Sequence, residues 1–204
     1  MKKIFILLAT LSIALVSCEK SFDVKYTSQL TGSNAAAMVE ADPTFLDSYV
    51  QGLYGTMCAS GAGGSTSHDD YGVLSVLTNT EYMGGDIVLW GTQNWGLYDY
   101  MFDYRMFNYG RPSQMWRVFY TLIANSNIII DFFPADSEPT DPVAKAALGQ
   151  AYAVRAFSYM HLMLYFQDPC NEAGEFNADA PGVPVIFAAR DGYSQADMDL
   201  HKGR

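Results

Sequence analysis

The chain has 204 residues, half of them hydrophobic and 14% aromatic, with a formal net charge of -10. That apolar content excludes an intrinsically disordered polypeptide, and the length allows one sizeable core. The acidic balance would repel phosphate backbones and so argues against nucleic acid as a partner; otherwise it speaks mainly to solubility.

The chain begins with Met1-Lys2-Lys3, then an uncharged, mostly apolar stretch over residues 4–16. This stretch is too short for a membrane-spanning helix, which needs about 20 residues. It reads as a secretory signal peptide over residues 1–17. The stretch closes on Leu15-Val16-Ser17-Cys18. That run resembles a lipobox, with a small residue before an obligatory cysteine, and implies cleavage before Cys18 followed by acylation of its thiol. Each buried methylene of an acyl chain adds about 0.8 kcal/mol, so a multiply acylated Cys18 would hold firmly to lipid. An ordinary signal peptide with an incidental cysteine is the rival reading. Residues 18–41 are polar and lack clear periodicity, so they are expected to form a lipidated tether. Cys58 and Cys170 could pair or stay free, and no cysteine–histidine spacing suggests a zinc site.

From residue 42 the pattern is helical. Asp42-Pro43 offers a cap acceptor followed by a helix-starting proline, and Phe45, Tyr49, Leu53 and Met57 recur at one-face spacing. A loop at Gly61-Ala62-Gly63-Gly64-Ser65 ends this helix. Residues 71–83 carry a weaker pattern through Val73, Leu74, Leu77 and Met83. Residues 87–111 are aromatic-rich without periodicity, which predicts a structured loop with one short helix. Arg111-Pro112-Ser113 is read as the cap of a strong helix through Trp116, Phe119, Tyr120, Ile123, Asn127 and Ile130. Asp141-Pro142 opens another, with Val143, Ala147, Val154, Phe157, His161 and Leu164 along one face and alanines for close approach. Two such helices joined by a short connection make an antiparallel hairpin. The expected fold is therefore all-α, with residues 42–204 as one helical region.

Candidate ligand contacts lie in the aromatic segment. A sugar presents C–H faces that suit aromatic rings and hydroxyls that suit amides and carboxylates. Trp90, Trp95, Asn94 and Tyr98 supply those groups in a non-periodic stretch, with packing of the tryptophans onto the helices as the competing role. Trp116 is expected in the core, and Arg155, among alanines and aromatics, is expected to be paired or stacked for structure. His68-Asp69-Asp70 lacks a partner for metal binding or proton transfer and reads as a solvated loop. No nucleophile elbow or phosphate cradle is present. No cofactor is implied, no metal ligand set is found, and no catalytic residue is assigned.

The run from Met115 to Ile129, MWRVFYTLIANSNII, resembles a helix of the SusD/RagB-like proteins. The run from Leu148 to Leu162, LGQAYAVRAFSYMHL, resembles the helix after it, and Pro181-Gly182-Val183-Pro184-Val185 resembles the turn that follows. Tyr82-Met83-Gly84-Gly85-Asp86 and the block from Tyr98 to Tyr109 are similar to one branch. The likeness spans nearly all of residues 42–187. It implies tetratricopeptide-like hairpins and a lipid-anchored, surface-exposed protein of the outer membrane. It also implies that the protein captures glycan, or in some members peptide, for a SusC-like TonB-dependent barrel without altering the ligand. Family members are longer, so this chain is expected to be an amino-terminal portion; a peptide- or protein-binding relative on the same scaffold, a surface glycosidase or other enzyme, and a truncated, non-functional fragment are the alternatives.

Overall fold

The computed structural model describes residues 32–187, apart from 68, 92–95, 135–137, 169, 172, 176 and 178–179. The expected signal peptide, Cys18, His68 and the candidate contacts Asn94 and Trp95 lie outside the described residues. Among the described residues there are helices and no strands. In order they are α1 Gly32–Ala41, α2 Phe45–Cys58, α3 Val73–Tyr82, the short α4 Leu97–Tyr100, a 3-10 turn Asp103–Arg105, α5 Gly110–Ile130 and α6 Pro142–Phe166. The described part of the chain is all-α, as its periodicity predicts. No helix among the described residues is long and apolar enough to cross a membrane.

The architecture is built around α5 and α6, which pack antiparallel. Their partners run in opposite order: Trp116 meets Phe166 edge-on at 5.0 Å, Phe119 stacks on His161 at 5.1 Å, and Arg155 Nη1 donates to Asn127 Oδ1 at 2.9 Å. The start of α6 follows from local chemistry. Asp141 Oδ1 accepts from the backbone N–H groups of Val143 and Ala144, both at 2.9 Å, and Pro142 needs no such acceptor. Ala144, Ala147 and Ala151 are buried, which lets the neighbouring backbone come close. On α5 the buried apolar set is Met115, Val118, Phe119, Leu122, Ile123 and Ile129. Helix α2 lays Leu46, Val50 and Leu53 across both long helices, and α3 adds Val73 and Val76.

Several expectations need correction. Residues 32–41 are not part of an unstructured tether: α1 forms there and buries Ala35 and Val39, one turn apart. Its alanines favour helix, but two small residues make too narrow a stripe to show as periodicity. The α2 cap is displaced, because Asp42 Oδ1 accepts from both the N–H and the hydroxyl of Thr44 and closes a turn ahead of the helix. On α3 the inward face is Val73, Val76 and the polar Ser75 and Asn79, whereas Leu74 and Leu77 point outward. Leu164 on α6 is exposed, and Ser158 and Leu162 take the inward positions. Trp116 is half-buried against the core rather than within it. Cys58 and Cys170 are free and exposed.

The segment after α6 returns across the hairpin and is held through its backbone. Tyr120 Oη donates to the Pro184 carbonyl at 2.7 Å, and Asn127 Nδ2 donates to the Ile186 carbonyl at 3.0 Å. Tyr159 Oη is shared with the same residue, accepting from Ile186 N–H at 2.6 Å and approaching its carbonyl at 3.1 Å. Burial, with Tyr159 nearby, pushes the Tyr120 phenol well above its ordinary pKa, so it stays a donor. Arg155 completes the arrangement, orienting Asn127 while its guanidinium lies 5.0 Å from the Tyr152 ring centroid.

His161 sits between Phe119 and Phe157, and its Nδ1 is buried with no hydrogen-bond partner. Desolvation lowers its pKa in the folded chain. Below the ordinary histidine value of about 6.5, the unfolded chain takes up a proton that the folded chain resists. Stability is therefore present in full above that value and falls as pH drops through it. Thermal melts at about pH 7.5 and about pH 5.5 should show a smaller acid-induced drop in Tm for His161→Phe than for the parent chain. Identical drops would show that His161 does not carry this pH dependence.

Candidate functional site

The site grows from one charged side chain. Arg111 lies in the first turn of α5 and is 6% exposed. A buried guanidinium must have its N–H donors answered. Asp99, 1% exposed on α4, takes a two-pronged contact: Arg111 Nε to Oδ1 at 2.7 Å and Nη2 to Oδ2 at 2.8 Å. Asp69 Oδ2 accepts a further bond from Nη2 at 2.8 Å. Gln114 Oε1 accepts from Nη1 at 2.5 Å, and Gln114 Nε2 reaches back to the Asp69 carbonyl at 3.2 Å. Desolvation works against the Arg111 cation, but the bonds and charges of Asp99 and Asp69 outweigh it and raise its pKa above the ordinary arginine value.

The loop of residues 61–70 is shaped by the neighbouring carboxylate. Asp70 is fully buried and accepts from Gly63 N–H through Oδ1 and Ser65 N–H through Oδ2, both at 2.9 Å. Gly61 N–H donates to the Asp70 carbonyl at 2.9 Å, closing the loop's ends. Two of the loop's glycines face the start of α5 closely. A Cβ at Gly63 would lie 2.2 Å from Gln114 Cγ, and one at Gly64 would lie 2.5 Å from Arg117 Nη1. Gly64 also adopts φ +80°, in the left-handed region that glycine enters without penalty.

Opposite the loop stands a wall of tyrosines. Tyr98 and Tyr104 stack with centroids 5.0 Å apart and rings 25° from parallel, and Tyr109 continues the row 5.3 Å from Tyr104. A left-handed Phe102, φ 62°, reverses the chain between the first two, and Arg105 lies 4.7 Å over its ring. A non-glycine residue in that conformation costs of order 1–2 kcal/mol, so the surrounding contacts must hold the turn. Between wall and loop lies an open cleft of about 900 Å³. Ser65, Ser67 and Ser113 supply hydroxyls, Asp69 and Gln114 polar side-chain oxygens, and Arg117 a cation.

Of the sequence candidates, Tyr98 lines this cleft. Trp90 does not: the residue is 96% exposed, which speaks against the packing role weighed for it. The reading of Asp69 and Asp70 as solvated is overturned, since one is bonded to Arg111 and the other is fully buried. Arg111 is likewise no mere helix cap; the α5 N-cap is Tyr109, without a side-chain capping bond. Sequence reasoning missed Tyr104, Tyr109, Arg111, Gln114 and Arg117 as cleft residues. The available signal was the tyrosines at 98, 104 and 109, just ahead of a helix whose first two turns carry Arg111 and Arg117. No cluster of histidine, cysteine and carboxylate residues suited to a metal ion occurs among the described residues.

Arg111→Ala leaves Asp99 charged, buried and unpaired, which should cost about 3–5 kcal/mol in urea unfolding. Arg111→Lys keeps the charge but not the fork and should recover only part of that loss. An unchanged urea midpoint for Arg111→Ala would contradict this role. Comparisons with protein-family models, with curated proteins and with solved structures find no match for this chain.

Proposed function

We propose that the protein is a glycan-binding lipoprotein of the outer-membrane surface, built on a SusD/RagB-like scaffold of tetratricopeptide-like hairpins, which captures oligosaccharide for a SusC-like TonB-dependent barrel. The observation that carries this reading is the cleft, with stacked tyrosines on one side and amide, carboxylate and hydroxyl groups on the other. Pyranose rings present apolar faces to such a wall, and each well-placed ring adds about 0.5–1.5 kcal/mol beyond burial. An open cleft also suits a polymer segment that must extend beyond it at both ends.

Binding without chemistry is the reading the carboxylates favour. A glycosidase needs two carboxyl groups free to act, one as proton donor and one as base or nucleophile. Here Asp99 accepts from Arg111 through both oxygens and Asp70 from two backbone N–H groups, which leaves Asp69 with one oxygen already bonded. The lipobox at Cys18 supports anchoring to the membrane. The outward side of α6 carries exposed Tyr152, Met160, Met163 and Leu164, a second apolar face that suits contact with a protein partner such as the barrel. A peptide-binding relative on the same scaffold is the other ligand class, since stacked tyrosines also receive peptide side chains.

Two measurements test this. A glycan array probed with the acylated full chain should show binding that Tyr104→Ala weakens by roughly tenfold, with no product released from the bound sugar. Silence across glycans with binding to peptides would replace the ligand class. Cys18→Ala should move the protein from the membrane to the soluble fraction; continued membrane retention would refute the lipid anchor.

A further inference from the structure

We infer that Arg117 selects the ligand by charge and that the cleft takes an acidic saccharide, one bearing a uronic acid carboxylate. The inference rests on the glycan-binding reading above and deepens it. Among the described arginines, Arg105 lies over Phe102, Arg111 is enclosed by carboxylates, and Arg155 is bonded to Asn127 beside Tyr152. Arg117 alone among them has no hydrogen bond, ion pair or ring contact. It is nonetheless placed: it lines the cleft, and its guanidinium lies across Gly64, in the space a side chain there would occupy.

The charges around it sharpen the point. Asp70 and Asp99 are buried and fully engaged, so a ligand cannot reach them. Asp69 is partly open, with its side chain 26% exposed, and one oxygen is held by Arg111. What the cleft offers a ligand is therefore a free planar cation beside neutral hydroxyls and tyrosine rings, with a single partly neutralised carboxylate. A guanidinium matches a carboxylate with two parallel N–H donors, a geometry that a neutral hydroxyl cannot answer. A uronic acid places that carboxylate on the rim of a pyranose ring, so one sugar unit can stack on the wall while its acid group meets Arg117.

The test is calorimetric titration of the acylated full chain in detergent with oligosaccharides of galacturonate, glucuronate and mannuronate, each beside its methyl ester. The ester keeps the sugar and removes the charge. For at least one pair the acid should bind about tenfold more tightly than the ester. Arg117→Gln should bind both forms alike, at the affinity of the ester, and Arg117→Lys should fall between. Arg117 is exposed, so circular dichroism and Tm should be unchanged in both variants. Equal affinity for acid and ester, or a preference for acid that survives Arg117→Gln, would overturn the inference. Binding of neutral glycans with none of the acidic pairs would also overturn it and leave the glycan-binding reading intact. Failure with every glycan would remove both.

Discussion

A cation withdrawn from water in the first turn of α5 is the constraint on which the site depends. Arg111 cannot be buried there unless its donors are met, and the groups that meet them come from three other places: Asp69 in the glycine loop, Asp99 on α4, and Gln114 one turn along the same helix. Satisfying one side chain thus fixes the loop, the short helix and the start of the long helix relative to one another. The tyrosine wall follows from this, because Tyr98 flanks Asp99 and Tyr109 immediately precedes the helix that bears Arg111. A buried fork is weak evidence for net stability against an apolar alternative, yet removing one partner is costly. Its value here is positional.

The rest of α5 makes that position firm. Beyond its first turn the helix runs through the core, with Val118, Phe119, Leu122 and Ile123 all fully buried. At its far end Asn127 is tied to Arg155 on α6 and to the returning segment at Ile186. The same helix therefore carries the cleft at one end and the latch of residues 184–186 at the other. Between them lies ordinary apolar packing, which tolerates little displacement.

Sequence reading succeeded where the determining contacts are local. Asp141-Pro142 announces α6 because an acceptor and a proline act within one turn, and the structure shows both backbone bonds. The long amphipathic stripes of α2, α5 and α6 were readable for the same reason: helical period is a property of neighbours. The site was readable only in part. Tyr98 could be named from composition, but the partners of Arg111 lie 12 and 42 residues away, and no local pattern reports a pairing at that range. Asp69-Asp70 looks like solvated loop because polar residues beside glycine usually are; here the loop folds back so that Asp70 points inward and Asp69 meets Arg111 at the cleft. On α3 two apolar faces compete, and only packing against α2 and α5 selects Val73 and Val76 over Leu74 and Leu77.

On the function proposed above, the charged fork holds three tyrosine rings and a free guanidinium in place to meet a sugar, on a scaffold anchored to lipid through Cys18. The most direct measurement is a crystal structure of the chain with a bound oligosaccharide. The account predicts a pyranose ring against Tyr98, Tyr104 or Tyr109, with the Arg111 fork unmoved beneath it. Sugar density over the exposed Trp90, with the cleft empty, would contradict it.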